Sequence, residues 1–160
     1  MSISRAMPKK LQGEEIDLIL SEYDGLKLGD VFDVAQKQEQ RGNSGLALKI
    51  YEYAVDRFGV MKSDGPYERA MGSIMYTAMG KLYMQKEDFA QAEAALGKAA
   101  EHNSANHEAL YWEGEICARK GFIQNAMAIF SQLAEQEIDV QVKRMAEERL
   151  EDLTKRHRTN

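Results

Sequence analysis

The chain is poor in the residues that staple, kink or pleat a backbone. Its one cysteine, Cys117, excludes an internal disulfide framework. Two prolines and few runs of β-branched residues, against nineteen alanines, exclude a strand-rich fold and favour helix throughout. No apolar run approaches the ~20 residues that a membrane-spanning helix needs, so no membrane insertion is expected. Basic residues are outnumbered, 21 to 26, leaving a net charge of −5. A nucleic-acid binder would normally show a basic face instead. The leading stretch MSISRAMPKKLQGEEIDLIL places acids straight after its basic residues and offers only a short apolar stretch, unlike a secretory signal. A cytoplasmic location is expected. With 160 residues and 44% hydrophobic content, the chain is long enough for one domain with a core of its own.

Small residues are what the chain has in plenty. YTAMGKLYMQKEDFAQAEAALGKAA (76–100) carries glycine or alanine at 78, 80, 90, 92, 94, 95, 99 and 100. Such residues bury little surface, but they let two helix axes approach to the low end of the usual 8–10 Å. The pattern recurs. Sliding 73–106 onto 107–140 puts Gly80 on Gly114, Ala92 on Ala126, Leu82 on Ile116 and Leu96 on Phe130. The turn QKEDFAQA (85–92) falls on RKGFIQNA (119–126), and upstream QRGNSGLALKIYEYA (40–54) aligns with 85–99. Self-similarity at such a period is the signature of a helical array.

The upstream copy is offset by 45 rather than 34, so eleven residues are inserted. Eleven residues make about three helical turns, which a helix absorbs without rotating its apolar face. Pro66 suits a first turn, with Ser63, Asp64 or Gly65 as cap. Tyr67, Met71, Met75, Met79 and Leu82 then form a stripe. This predicts a lengthened helix over 66–85; a loop around Gly59 and KSDG is the alternative. The pattern predicts first helices at 28–40, 66–85 and 107–119, and second helices at 44–58, 88–102 and 122–136. Gly80 and Gly114 mark the crossings, with Ala92 and Ala126 facing them.

These residues resemble the tetratricopeptide repeat family. Tyr76, Met79-Gly80, Tyr83, Ala92, Leu96 and Ala99 carry the resemblance in the middle copy, Leu110, Gly114, Cys117, Ala126 and Phe130 in the next. Val31, Val34-Ala35, Ala47, Tyr51 and Ala54 carry it in the first. Glu113 in the usual leucine slot, Gln38 in the tyrosine slot, and Ser104 and Ile138 in place of a closing proline depart from it. The resemblance implies an all-α fold, a right-handed α-solenoid of three helix hairpins with capping helices at both ends. It divides the chain into a flexible segment and short helix at 1–27, three repeats at 28–140 (about 28–61, 62–106 and 107–140), and a closing helix with a basic tail at 141–160. EEIDLILSEYDGL (14–26) either caps the stack or docks on a second molecule. In the closing helix Val142, Met145, Ala146 and Leu153 share one face, backed by charge as a solenoid end requires.

Motifs for catalysis are missing. His102 and His107 lie across an inter-helix turn with no cysteine or acidic motif to complete a metal set, and read as surface loop residues. Cys117 reads as an inert core thiol, and GNSG (42–45) lacks the rest of a phosphate loop. No catalytic residue, metal or cofactor is expected. First helices of stacked hairpins line a concave face. Helical phase assigns to that face Phe32, Asp33 and Gln36 in the first repeat, Thr77, Lys81 and Met84 in the second, and Tyr111, Trp112, Glu115 and Arg119 in the third. Some family members clamp a peptide carboxylate with lysine, asparagine and arginine. The matching slots here hold Phe32, Gln36, Ala78, Glu108 and Trp112, so that activity is disfavoured. The expected partner is a peptide or helix segment of another protein. A three-repeat chaperone of the type III secretion kind and a self-assembling structural protein are the alternatives.

Overall fold

A computed structural model describes residues 21, 25–60 and 65–158 of the chain. Seven helices and no strand occur among the described residues. They are α1 (Leu28–Gln40), α2 (Ser44–Arg57), α3 (Pro66–Gln85), α4 (Phe89–His102), α5 (His107–Arg119), α6 (Ile123–Glu135) and α7 (Val140–Arg158). The leading helix expected over 14–26 falls almost wholly outside the described residues.

Three turns of one design separate the helices of each hairpin. In each, an amide reaches back five residues: Asn43 to the Gln38 carbonyl (2.9 Å), Asp88 to Tyr83 (3.0 Å) and Phe122 to Cys117 (2.8 Å). This helix-ending motif requires a left-handed residue just before that amide. Gly42 (φ 80°) and Gly121 (φ 84°) supply it without strain, whereas the middle turn uses Glu87 at φ 59°. At the other helix ends Pro66 occupies the first turn of α3, and Asp88 and Asn106 accept amides from Gln91 (3.2 Å) and Ala109 (2.9 Å).

The chain divides into two compact units, 1–58 and 59–160. In the first, α1 packs on α2 and buries Val31, Ala35, Ala47, Ile50, Tyr51 and Ala54. The Tyr51 hydroxyl donates to Glu39 Oε2 (3.4 Å). Burial and the Glu39 charge push the Tyr51 pKa up, so it stays a neutral donor.

In the second unit, α3, α5 and α7 touch in succession; α4 bridges α3 and α5, and α6 bridges α5 and α7. Close approach at the glycines has a specific form. A Cβ built on Gly80 would lie 2.7 Å from Leu96, and one on Gly114 would lie 2.8 Å from the Phe130 ring. Each glycine is therefore a socket for the large side chain of its own hairpin; Ala92 is fully buried beside Gly80, and Ala126 is fully buried in the next hairpin. Gly72 does the same for Val60 and for the His102 ring. Met75 and Met79 are core, Met71 is half-buried, and Tyr67 at the head of the stripe is exposed.

Candidate functional site

The cleft of the 59–160 unit follows from unequal helix lengths. Helix α3 has 20 residues, while α5 has 13. Helix α5 starts level with Ser73, because its cap residue Asn106 donates from Nδ2 to Ser73 Oγ (2.7 Å) and Thr77 Oγ1 (2.9 Å). Those hydroxyls are themselves donors, Ser73 to the Ala99 carbonyl (2.9 Å) and Thr77 to the Ser73 carbonyl (2.8 Å). The turns of α3 ahead of Ser73 therefore overrun α5. Between that overhang and the start of α7 lies a cleft of about 650 Å³. Ala70, Ile74 and Thr77 form one wall, Val142 and Met145 the other, with Ser73 and the Asn103–Glu108 segment as floor and Asp139 and Gln141 at the rim. Ile74 is 48% exposed, and Val142 and Met145 are half-buried. Asp139 Oδ1 accepts the amides of Gln141 (2.9 Å) and Val142 (3.2 Å), which fixes the start of α7.

Several residues assigned to the concave face from helical phase are buried. Thr77 belongs to the polar network beneath α5, and Met84 is core. Tyr111 is only 8% exposed, tilted against Phe130 with centroids 5.4 Å apart and edge-on to Trp112 at 5.3 Å. Glu115 is 7% exposed and accepts from Arg149 Nε of α7 at 2.5 Å, while Arg149 also donates to Asp152 (2.6 Å). The reason is shared: phase identifies the side of a helix turned from its own hairpin partner, but α5 and α7 cover much of that side. The Glu115 carboxylate is thus engaged by Arg149 rather than offered to a ligand.

Lys81, Trp112 and Arg119 keep solvent contact. Lys81 Nζ lies 5.6 Å from the centre of the Trp112 ring and 3.4 Å from Glu108 Oε1, and the indole N–H points at the same oxygen (3.5 Å). Arg119 is exposed at the end of α5. In the first unit Asp33 and Gln36 are exposed, and Phe32 is half-buried against Tyr51 (5.9 Å). Ile74 was outside the sequence-based set; stepping back one turn from Ala78 on the same phase reaches it.

Among the described residues the titratable groups with shifted pKa values are spread over several helices. Burial pushes the Cys117 thiol up, with Glu93 and Glu113 adding and Lys120 opposing, so the thiol stays protonated. Burial also raises Glu113, the acid in the repeat's leucine slot. Tyr111 is pushed up to about 12 by burial and the Glu115 charge. His102 is half-buried rather than a free loop residue; its ring stacks on Tyr76 at 5.7 Å, and burial followed by the Arg69 charge lowers its pKa. Among the described residues no three histidine, cysteine or acidic side chains converge as a metal set, and no helix is long and apolar enough to cross a membrane.

Residues 77–138 match the family model described as Tetratricopeptide repeat. That segment is similar to tetratricopeptide repeats. The match runs from within α3 to just past α6, over the two hairpins whose glycine sockets and turns coincide. Among curated proteins none matches the chain. Tetratricopeptide repeats generally mediate protein–protein interaction.

Proposed function

We propose that the 59–160 unit is a non-enzymatic binding module, working in the cytoplasm, that takes an extended or helical segment of another protein in the cleft between α3 and α7. The observation that carries this reading is the pairing of solvent-reachable aliphatic side chains on opposed walls, Ile74 facing Val142 and Met145, over a floor whose polar groups already satisfy one another. Exposed apolar surface in a concavity is characteristic of interaction sites. A satisfied floor means that a ligand gains from burying the walls without having to replace lost hydrogen bonds there. Lys81, Trp112 and Arg119 would extend the contact surface, and Asp33, Gln36 and the edge of Phe32 would give the first unit a contact surface of its own.

Replacing Ile74 and Val142 together by lysine tests the reading. Capture of the native partner should fall at least about tenfold while helicity and the thermal midpoint stay near wild type. Unchanged capture would place the bound surface elsewhere. A client-holding chaperone and a self-assembling scaffold are two narrower forms of the proposal. The first requires a co-expressed client to lose solubility without this chain, and the second requires a mass that rises with concentration.

A further inference from the structure

Resting on that reading, we infer that the segment the cleft takes is both apolar and basic: a pair of aliphatic side chains flanked by lysine or arginine. The aliphatic pair follows from the walls: Val142 and Met145 pack with one side on the core of Tyr111 and Phe130, and among the described residues no apolar side chain fills the space between them and Ile74. A volume of about 650 Å³ lies inside the range of roughly 300–1,000 Å³ typical of ligand clefts. The flanking charge follows from the rim. Among the described residues the acids that line the cleft are Glu108 from α5 and Asp139 from the start of α7, beside His107, and no lysine or arginine lines it. Glu108 meets Lys81 at 3.4 Å and the Trp112 indole N–H at 3.5 Å, both long contacts, and its side chain is 49% exposed. Solvated pairs bind weakly, and Glu108 is free to exchange partners. Two helix N-termini open here, of α5 and α7, and would favour an anion. Both are occupied from within the chain, by Asn106 Oδ1 and Asp139 Oδ1. The chain's net charge of −5 acts at longer range in the same direction.

Three synthetic helical peptides separate the possibilities. They share one pair of leucines a turn apart and differ only in the flanking residues: lysine, serine or glutamate. Each is titrated into the full chain while the methyl resonances of Ile74, Val142 and Met145 are followed. The lysine peptide should move those methyls and bind at least about tenfold more tightly than the glutamate peptide at low salt. That gap should shrink several-fold at about 1 M salt. Glu108→Gln should remove roughly a threefold share of the advantage and leave the serine peptide unaffected. If the serine or glutamate peptide moves the same methyls at equal or lower concentration, the basic preference is overturned and the cleft as binding site survives. If no peptide moves these methyls, or all shifts fall outside the cleft, the cleft itself is overturned as well.

Discussion

The two junctions of the 59–160 unit are built from opposite chemistry. Where α3 meets α5, the contact is neutral and small: Ser73, Thr77, Asn106 and the Ala99 carbonyl bond one another over 2.7–2.9 Å. Where α5 meets α7, it is large and charged, with Tyr111 against Phe130 and Glu115 bound to Arg149. Small polar side chains hold two helices together without filling the space above them. A tyrosine and an arginine fill it. The cleft therefore lies over the first junction, and two residues expected on the binding face are consumed in the second.

Breaking the neutral junction should have the largest effect. Asn106→Ala removes a helix cap and two half-buried hydrogen bonds, a combined loss of about 3 kcal/mol, read from urea unfolding followed by Trp112 fluorescence. At the charged junction Glu115→Ala should cost about 2 kcal/mol, below the usual loss for a broken buried pair, because Arg149 retains Asp152 and some solvent. Replacing the pair together, Glu115→Leu with Arg149→Met, should return stability to within about 1 kcal/mol of wild type. The neutral junction should show no such rescue, because no apolar residue restores the cap of α5. A double variant as unstable as Glu115→Ala would erase the proposed distinction.

Glycine substitutions sharpen the same contrast on a smaller scale. Gly114→Ala and Gly80→Ala gain helix propensity but drive a methyl into Phe130 or Leu96, for a net loss of about 1–2 kcal/mol. Gly97, exposed on α4 with nothing near its absent Cβ, should give the reverse: Gly97→Ala stabilises by about 0.5–1 kcal/mol. Glu87→Gly should likewise stabilise by about 1 kcal/mol, by relieving the left-handed residue that the other two turns make glycine. Differential scanning calorimetry reads all four.

The smallest effect is on pH. His102 has a lowered pKa in the fold, so the unfolded chain binds its proton more tightly and stability rises with pH across the window between the two values. Its contribution is complete above the unfolded value near 6.5 and is lost as pH falls below it. The urea midpoint of wild type should therefore drop more between pH 7 and about 5.5 than that of His102→Gln. Parallel curves would remove this role from His102.

Helix positions were legible because their signals are local. Pro66, Gly42, Gly121, Asp88 and the apolar stripes mark starts and stops within a few residues, and the first helices of all three hairpins run where those signals put them. The second helices differ from the expected ends by a residue. The glycine sockets were legible as close contacts, but the side chains seated in them, Leu96 and Phe130, were not. Exposure on the inner face was not legible. Burial of Thr77 and Tyr111 depends on which neighbouring helix lies across them, a property of helix lengths and of the register of α7. The inserted residues announced a longer helix; that its overhang forms a wall with Ile74 exposed emerges only once Asn106 fixes where α5 begins.

The central claim is that this overhang and the start of α7 form the surface a partner enters. Site-specific photo-crosslinking tests it most directly, with the photoreactive residue placed at Ile74 or at Phe122, which is exposed outside the cleft. The account predicts a crosslinked partner from position 74, lost on Val142→Lys, and none from position 122. A crosslink from 122 alone, or one from 74 that survives Val142→Lys, would contradict it.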